Sequence, residues 1–243
     1  MSAELAPLRA YIRRHEAPKG YNQVYGGIKA KDLPPRPLTQ MKVREVLAWQ
    51  DRIDARYPSE AAGAYQIMED TLRAMVSHGK ADPDALFDAR TQDALADELM
   101  RGRGLDSYLS GKWSAERFCN ALAMEWASLP VVTPVERVKR NAAGKVVKKW
   151  TVPAGASYYS GDGLNKALTS TDEFLRVVRA IRETRPNIVP TPQAAPPRPK
   201  SAPRATTTAG AVLAAAAAAL ALWWAGVKAS LCALPIISII CGG

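Results

Sequence analysis

Histidine is scarce in this chain of 243 residues, which contains only two. A typical zinc hydrolase binds its metal through two or three histidines together with a carboxylate or a cysteine. His15 is followed by Glu16, but Pro18 and Lys19 come after them, so the H-E-x-x-H pattern of metallopeptidases is absent. The sequence therefore predicts no metal site, and we expect no cofactor.

Signatures of several other protein classes are missing as well. The chain has no G-x-S-x-G, phosphate-loop or dinucleotide-binding pattern. Its first residues, Met1 to Pro7, lack the basic and apolar stretches of a secretory signal, so we expect no cleaved signal peptide. Three cysteines are too few for a disulfide framework. Cys119, between Phe118 and Leu122 and without a nearby histidine, is predicted to be a small buried hydrophobe.

Acidic residues are outnumbered, with 23 Asp and Glu against 33 Lys and Arg and a net charge of +10. A basic surface suits a polyanionic partner, such as nucleic acid, an anionic lipid surface or an acidic cell-wall polymer. No recognition motif with interleaved aromatic residues accompanies the charge, so we expect no nucleic-acid partner. Residues 135–152 have two interpretations. They bind anionic wall polymer or lipid headgroups, or they form a solvated segment without a binding role. This segment contains six basic residues against Glu136: Arg137, Lys139, Arg140, Lys145, Lys148 and Lys149.

Apolar residues recur at helical spacing in six segments before residue 184. The predicted helices cover residues 5–15, 39–49, 65–78, 91–101, 114–128 and 171–181. We expect Thr39 to cap the second of these helices and Pro130 to end the fifth. Two β-rich runs flank residues 141–144 and predict a β-hairpin inserted at residues 134–153.

The C-terminal quarter of the chain changes composition twice. Residues 186–203 contain seven of the eighteen prolines and no acidic residue, which predicts an extended basic linker over residues 185–208. Residues 209–227 then carry no charge, and a helix of this length measures about 28 Å, close to the hydrocarbon thickness of a bilayer. We therefore predict a hydrophobic membrane anchor over residues 209–243 with one transmembrane helix at 209–227.

Two features leave the arrangement of this anchor open. A second apolar run follows Lys228 and is broken by Pro235. In one alternative this run re-enters the membrane or lies at its surface. In another alternative, residues 209–227 form a buried core helix instead of a transmembrane helix. Arg198, Lys200 and Arg204 precede the span, which favours the cytoplasmic side of the inner membrane for the large domain.

One carboxylate stands where a polysaccharide-cleaving enzyme needs its acid. Such enzymes use a carboxylic acid beside the glycosidic oxygen, with a pKa raised by an apolar pocket. Glu16 follows the predicted helix 5–15 and precedes a glycine-rich loop, residues 17–27. The alternative interpretation is an ordinary solvated glutamate near a helix end.

Five motifs follow one another along residues 8–180. They are Arg13-Arg-His-Glu with Gly20-Tyr-Asn-Gln-Val-Tyr-Gly-Gly, Ser59-Glu-Ala-Ala-Gly-Ala-Tyr-Gln, Phe87-Asp-Ala-Arg-Thr-Gln-Asp-Ala, Glu125-Trp-Ala-Ser-Leu-Pro, and Gly155-Ala-Ser-Tyr-Tyr-Ser-Gly. Each motif is weak alone. In this order they resemble the lambda-type phage endolysins of the lysozyme-like superfamily.

The resemblance implies an α+β, mainly α fold, with a lysozyme-like domain over residues 1–184. Its cleft would bind the alternating N-acetylglucosamine and N-acetylmuramic acid strand of peptidoglycan. Glu16 would be the general acid that protonates the leaving oxygen. The residues that would bind substrate are Tyr21, Ser59, Tyr65, Gln66, Tyr158 and Tyr159, with Tyr65 and Gln66 on the cleft floor and Tyr158 and Tyr159 on the opposite wall.

The sequence departs from the family pattern at two positions. Ala64 replaces an arginine that could pair with a carboxylate, and Glu60 replaces a threonine. In lambda-type enzymes the muramic C6 hydroxyl attacks and gives a 1,6-anhydro product. Glu60 is a second catalytic candidate because another carboxylate could position water for hydrolysis. The alternative is that Glu60 is a solvated turn residue that caps the next helix.

The sequence thus predicts a membrane-anchored, monomeric muramidase-type endolysin. It would cleave the β-1,4 bond between N-acetylmuramic acid and N-acetylglucosamine, by hydrolysis or by lytic transglycosylation. A domain on the cytoplasmic side would need a holin-like partner, a tail that disturbs the bilayer, or the opposite insertion. The alternative function is a non-catalytic, membrane-tethered peptidoglycan-binding module of lysozyme-like fold, which the missing arginine at position 64 favours.

Overall fold

The computed structural model describes residues 3–161 and 165–183, which are mainly helical. The helices are α1 (Ala6–Glu16), α2 (Val43–Asp54), α3 (Glu69–Ser77), α4 (Ala89–Gly102), α5 (Leu105–Leu109), α6 (Ala115–Ala123) and α7 (Thr171–Glu183), and the strands are β1 (Val135–Arg140) and β2 (Val146–Val152). The predicted combination of many helices with one small hairpin is confirmed. The predicted linker, 185–208, and anchor, 209–243, lie outside the described residues. Within the described part, no helix has the length and apolar character needed to cross a membrane.

Helix α1 ends at Glu16, one residue later than the predicted helix over residues 5–15. Pro7 stands in the first turn, where a missing N–H costs nothing. The inner face of the helix buries Leu8, Tyr11 and Ile12. The helix stops where Pro18 disfavours helical backbone for the residue before it. Glu16 therefore ends a helix whose inner face is buried in the core.

Helix α2 begins at Val43, so the prediction that Thr39 caps it is wrong. Thr39 lies in a 3₁₀ turn, Leu38–Gln40, and the chain is extended at Met41. The N-terminus of α2 is capped by Glu45, whose Oε2 accepts the Lys42 N–H at 2.7 Å. A carboxylate of the first helical turn thus caps the helix, where the sequence predicted a hydroxyl cap.

The segment before α3 is a tight turn, so the predicted helix starts four residues too early. Ala62 and Ile67 form an antiparallel bridge through two N–H···O bonds of 3.1 and 2.9 Å. Gly63 has φ +78° and Gln66 has φ +47°, and left-handed backbone of this kind interrupts a helix. Tyr65 and Gln66 therefore stand on a loop and not on the first turn of a helix.

Helix α6 ends at Ala123, earlier than predicted, so Pro130 is not the residue that stops it. Trp126 is buried at 2% exposure, and its backbone N–H returns to Leu122 O at 2.9 Å. The following residues, 127–130, continue as a loop. The early end of α6 brings the Trp-Ala-Ser-Leu segment into the interior as irregular chain.

The short helix α5 was not predicted from the sequence.

The hairpin occupies the predicted insertion. Strands β1 and β2 are antiparallel, with Val135 opposite Val152 and Arg137 opposite Trp150. Val152 is buried, whereas the distal half of the hairpin is exposed. Its base is joined to the body by hydrogen bonds between residues 131 and 155–156.

The core lies between the helices and contains the large side chains Trp49, Tyr65, Phe87, Phe118 and Phe174. Helix α7 packs against both α1 and α6. Cys119 is fully buried in this core, and burial raises the pKa of its thiol. The prediction that Cys119 is a small buried hydrophobe is confirmed.

Candidate active site

The carboxyl of Glu16 is held by one serine that is distant in sequence. Glu16 Oε1 accepts a hydrogen bond from the Ser128 N–H at 3.0 Å and another from the Ser128 hydroxyl at 2.5 Å. Burial raises the pKa of the Glu16 carboxyl, and the two hydrogen bonds from Ser128 partly oppose this rise. Among the described residues, none donates a hydrogen bond to the other oxygen, Oε2. The residue keeps part of its surface exposed.

Ser128 is itself fixed by the loop that follows α6. Its carbonyl oxygen accepts the Leu168 N–H at 2.8 Å. Two residues earlier, Trp126 Nε1 donates to the Tyr65 carbonyl oxygen at 3.2 Å. Ser128 belongs to the Glu125-Trp-Ala-Ser-Leu-Pro motif, but sequence reasoning gave it no role. Its position in that motif was the sequence feature that could have indicated a role for Ser128.

The glycine-rich loop after α1 is tied to the turn at residues 61–67. Gln23 Nε2 donates to the Glu16 carbonyl oxygen at 3.2 Å, and the Gln23 carbonyl accepts the Gly63 N–H at 2.7 Å. Gln66 Nε2 donates to the Gly63 carbonyl at 2.8 Å. The half-buried Gln66 is thus held in its left-handed conformation close to the backbone that carries Glu16, and strain of this kind is common at functional sites. Ser59 lies at the start of the turn, where its Oγ accepts the Ala61 N–H at 3.2 Å.

A polar cluster lies behind this turn and includes two residues that sequence reasoning missed, Arg13 and Asp93. Asp93 Oδ1 accepts hydrogen bonds from the hydroxyls of Tyr21 at 2.9 Å and Tyr65 at 2.6 Å. Arg13 Nη1 donates to the Tyr65 hydroxyl at 2.9 Å. Burial and the bond to Asp93 raise the pKa of Tyr65 far above its ordinary value, so the phenol stays protonated. Arg13 and Asp93 occur in two of the motifs quoted above, which was the signal for them.

This cluster alters the role expected for Tyr65. Its side chain is 1% exposed, so it lies beneath the floor of the site instead of presenting its hydroxyl to a ligand. Tyr21 is half-buried and remains able to contact a ligand from the same cluster. The cationic partner of Tyr65 is Arg13, while Ala64 is buried and its N–H donates to Gln92 Oε1 at 2.8 Å.

The same network anchors α1 to α4. Arg9 Nη1 lies 2.7 and 2.9 Å from the two carboxylate oxygens of Asp97, and Arg9 Nε lies 3.5 Å from Asp93 Oδ2. Both side chains of the Arg9–Asp97 pair are less than a tenth exposed. A buried pair of this kind fixes the relative position of two elements more than it adds stability. It therefore holds the helix that carries Glu16.

Glu60 occupies a different place from Glu16. Its Oε1 accepts the Glu69 N–H at 3.0 Å, so it caps the N-terminus of α3. It is 5% exposed, which differs from the solvated capping residue considered from the sequence. Within the described residues, the carboxylates of Glu16 and Glu60 share no hydrogen-bond partner. The structure does not bring the two catalytic candidates together through a common contact.

Tyr158 and Tyr159 form an aromatic corner beside the hairpin. Their rings meet edge to face with centroids 5.2 Å apart. The guanidinium of Arg137 lies 4.4 Å from the Tyr158 ring centroid and donates to the Tyr158 carbonyl at 2.8 Å. The Tyr159 hydroxyl donates to the Met124 carbonyl at 2.7 Å, just ahead of the Ser128 loop. Both tyrosines are half-buried, so part of each ring is accessible.

Within residues 3–161 and 165–183, no three His, Cys, Asp or Glu side chains group as metal ligands. A surface depression lies among α5, α6 and α7 and contains none of the predicted site residues; its lining includes Tyr108, Ser114, Glu116, Arg179 and Arg182. The centre of the candidate site is the Glu16–Ser128 pair, because it combines a carboxyl of raised pKa with two hydrogen-bond donors.

Comparison with known proteins identifies a family. The Endolysin family model matches residues 5–157, well over half of the chain. This range includes Glu16, Ser128 and the hairpin and ends just before Tyr158. No curated protein and no solved structure matches the chain. The chain therefore belongs to the endolysin family, and this membership indicates a phage enzyme that lyses peptidoglycan.

Proposed function

We propose that the protein cleaves the β-1,4 bond between N-acetylmuramic acid and N-acetylglucosamine, with Glu16 as the general acid. The observation that carries this proposal is the pairing of a half-buried, helix-ending carboxyl with two hydrogen-bond donors from Ser128. Burial raises the pKa of Glu16, so the group keeps its proton to higher pH than an exposed glutamate does. A lysozyme-like cleft around Glu16 is part of the proposal.

The two oxygens of Glu16 have separate roles in this reaction. Oε2 holds the proton and gives it to the glycosidic oxygen as the bond from that oxygen to the anomeric carbon breaks. Positive charge then develops on the sugar ring, and negative charge develops on Glu16. The two Ser128 donors, already placed at Oε1, stabilise this carboxylate without reorganisation.

The position of Glu60 favours an intramolecular attack over hydrolysis. Glu60 is bound to the N-terminus of α3, so it is not proposed as the residue that activates water. The C6 hydroxyl of the muramic sugar can attack the anomeric carbon and return its proton to the Glu16 carboxylate. This sequence needs one carboxylate and gives a 1,6-anhydro product.

The remaining sequence-based expectations complete the proposal. The substrate would contact Tyr21, Ser59, Gln66, Tyr158 and Tyr159, while Tyr65 supports the floor from below. The enzyme would act as a monomer at the inner membrane, anchored by residues 209–227 through the proline-rich linker, with a holin-like partner giving access to the wall. Protease accessibility of residues 186–203 in spheroplasts tests the orientation: cleavage from outside contradicts a cytoplasmic linker.

Mass spectrometry of digested peptidoglycan tests the reaction. We expect disaccharide-peptide products that end in 1,6-anhydromuramic acid. Products with reducing muramic ends would show hydrolysis instead. Cut peptide or amide bonds on intact glycan strands would contradict the proposed bond. Binding to peptidoglycan without any product would support the non-catalytic module.

A further inference from the structure

The hairpin leaves the body of the protein next to the residue that holds Glu16. We call β1, β2 and the turn between them the hairpin arm. The chain enters the arm at Val135, seven residues beyond Ser128. At its base the Val131 N–H donates to the Ala156 carbonyl at 2.9 Å, and the Gly155 N–H donates to the Val131 carbonyl at 2.8 Å. The segment that carries the Glu16 partner Ser128 thus runs directly into the base of this arm.

Arg137 fixes the direction of the arm. Its guanidinium lies 4.4 Å from the centroid of Tyr158, 4.9 Å from that of Trp150 and 5.5 Å from that of Tyr159. Each cation–π contact adds about 0.5–1 kcal/mol at a partly exposed site. The base of the arm is thus joined to the aromatic corner beside the candidate active site.

The face of the arm that carries Arg137 is basic and has no acidic residue. Side chains of a strand alternate between its faces, so Lys139 and Lys148 share the face of Arg137 and Trp150. Lys139 and Lys148 stand directly opposite each other, both exposed. Like charges in this position repel and destabilise a hairpin. Glu136, the arm's acidic residue, lies on the other face, where it pairs with Lys149 at 2.8 Å. Lys148 Nζ lies 5.2 Å from the Trp150 ring centroid, and within the described residues neither Lys139 nor Lys148 has a carboxylate partner.

We propose that the face formed by Lys139 and Lys148 binds carboxylates of the stem peptide on the glycan strand that occupies the Glu16 site. This inference rests on the proposed function. The N-acetylated sugars of that strand carry no charge, whereas its acidic peptide does. Lys139 lies four residues beyond Val135, about 13 Å along the strand. An extended peptide of about four or five residues covers roughly the same distance.

The test compares peptide-bearing glycan oligomers with the same oligomers after an amidase has removed the peptides, which leaves one lactyl carboxylate on each muramic sugar in place of the peptide carboxylates. The full-length variant Lys139→Gln/Lys148→Gln should raise KM on peptide-bearing oligomers by about three- to tenfold, as expected for exposed charge contacts. Its kcat, and its KM on stripped oligomers, should stay within about twofold of wild type. The rise in KM should shrink at high salt. The matched control is Lys80→Gln/Lys112→Gln, which removes the same charge from exposed loops of the helical body and should change neither constant.

Three results would overturn the inference. The first is an unchanged KM on peptide-bearing oligomers, and the second is an equal rise on both substrates, which would assign the arm to the sugars. The third is loss of binding to vesicles with anionic lipid while KM stays the same, which would assign the arm to a membrane surface. If wild-type protein cuts neither substrate, the proposed function fails; binding of the two oligomers by wild type and variant then decides the role of the arm.

Discussion

Replacing Ser128 by alanine should move the alkaline limb of the pH–activity profile to higher pH. The substitution removes the 2.5 Å hydroxyl hydrogen bond to Glu16 Oε1 and leaves the 3.0 Å bond from the backbone N–H. Both bonds lower the pKa of Glu16, against the larger effect of burial that raises it. A hydrogen bond to a charged group contributes about 1.5–3 kcal/mol, so its loss favours the protonated acid by roughly tenfold or more.

The sign of this effect follows from the role of the acid. Activity falls on the alkaline side as Glu16 loses its proton, and a higher pKa delays that loss. Clearing of purified peptidoglycan, followed across a pH series at constant ionic strength, measures the limb. Ser128→Thr keeps the hydroxyl donor and should retain the wild-type profile. An alanine variant whose limb stays in place, or moves to lower pH, would refute the pairing of Ser128 with a catalytic Glu16.

Other predictions concern stability and the second carboxylate. Glu16→Gln should raise the free energy of unfolding at neutral pH but not in acid, because the wild-type protein loses stability as the pH rises from the unfolded-state pKa towards the raised folded-state value; urea unfolding that shows equal effects at both pH values would contradict this. Asp97→Ala should lower the free energy of unfolding by about 3–5 kcal/mol, since it removes the carboxylate whose two oxygens both accept from Nη1 of the buried Arg9. Its control, Glu98→Gln on the same helix, weakens only partly exposed ion pairs with Lys80 and Arg101 and should cost less than about 1 kcal/mol, and similar losses in the two would refute the role of the buried pair. Glu60→Ala should cost about 0.5–2 kcal/mol through the lost cap and leave the lytic rate unchanged, so a folded but inactive variant would restore it as a catalytic residue.

Local patterns predicted much of the fold. The apolar face of α1 and the proline after it placed Glu16 at a helix end from sequence alone. The hairpin was also predictable, because two β-rich runs with a turn between them have few other solutions. These features depend on residues that are close in sequence. Apolar periodicity and turn residues reflect such local interactions, so they predict these features.

Long-range contacts decided the parts that sequence reasoning missed. The turn at Ala62–Ile67 depends on a bridge to Val24 and on left-handed backbone at Gln66, and neither gives a periodic signal. The partner of Glu16, Ser128, is 112 residues away in sequence. Asp93 was visible as part of a motif, but its contact with Tyr65 needs the packing of α4 against the turn.

Turnover of purified peptidoglycan by the Glu16→Gln variant tests the central claim most directly. Loss of a general acid lowers rates by about 10²–10⁴-fold, and we expect clearing to fall by at least this much. Circular dichroism and urea unfolding should show a folded variant at least as stable as wild type, and Glu98→Gln should clear at the wild-type rate. A folded Glu16→Gln protein that clears peptidoglycan undiminished would contradict the assignment of Glu16 as the catalytic acid.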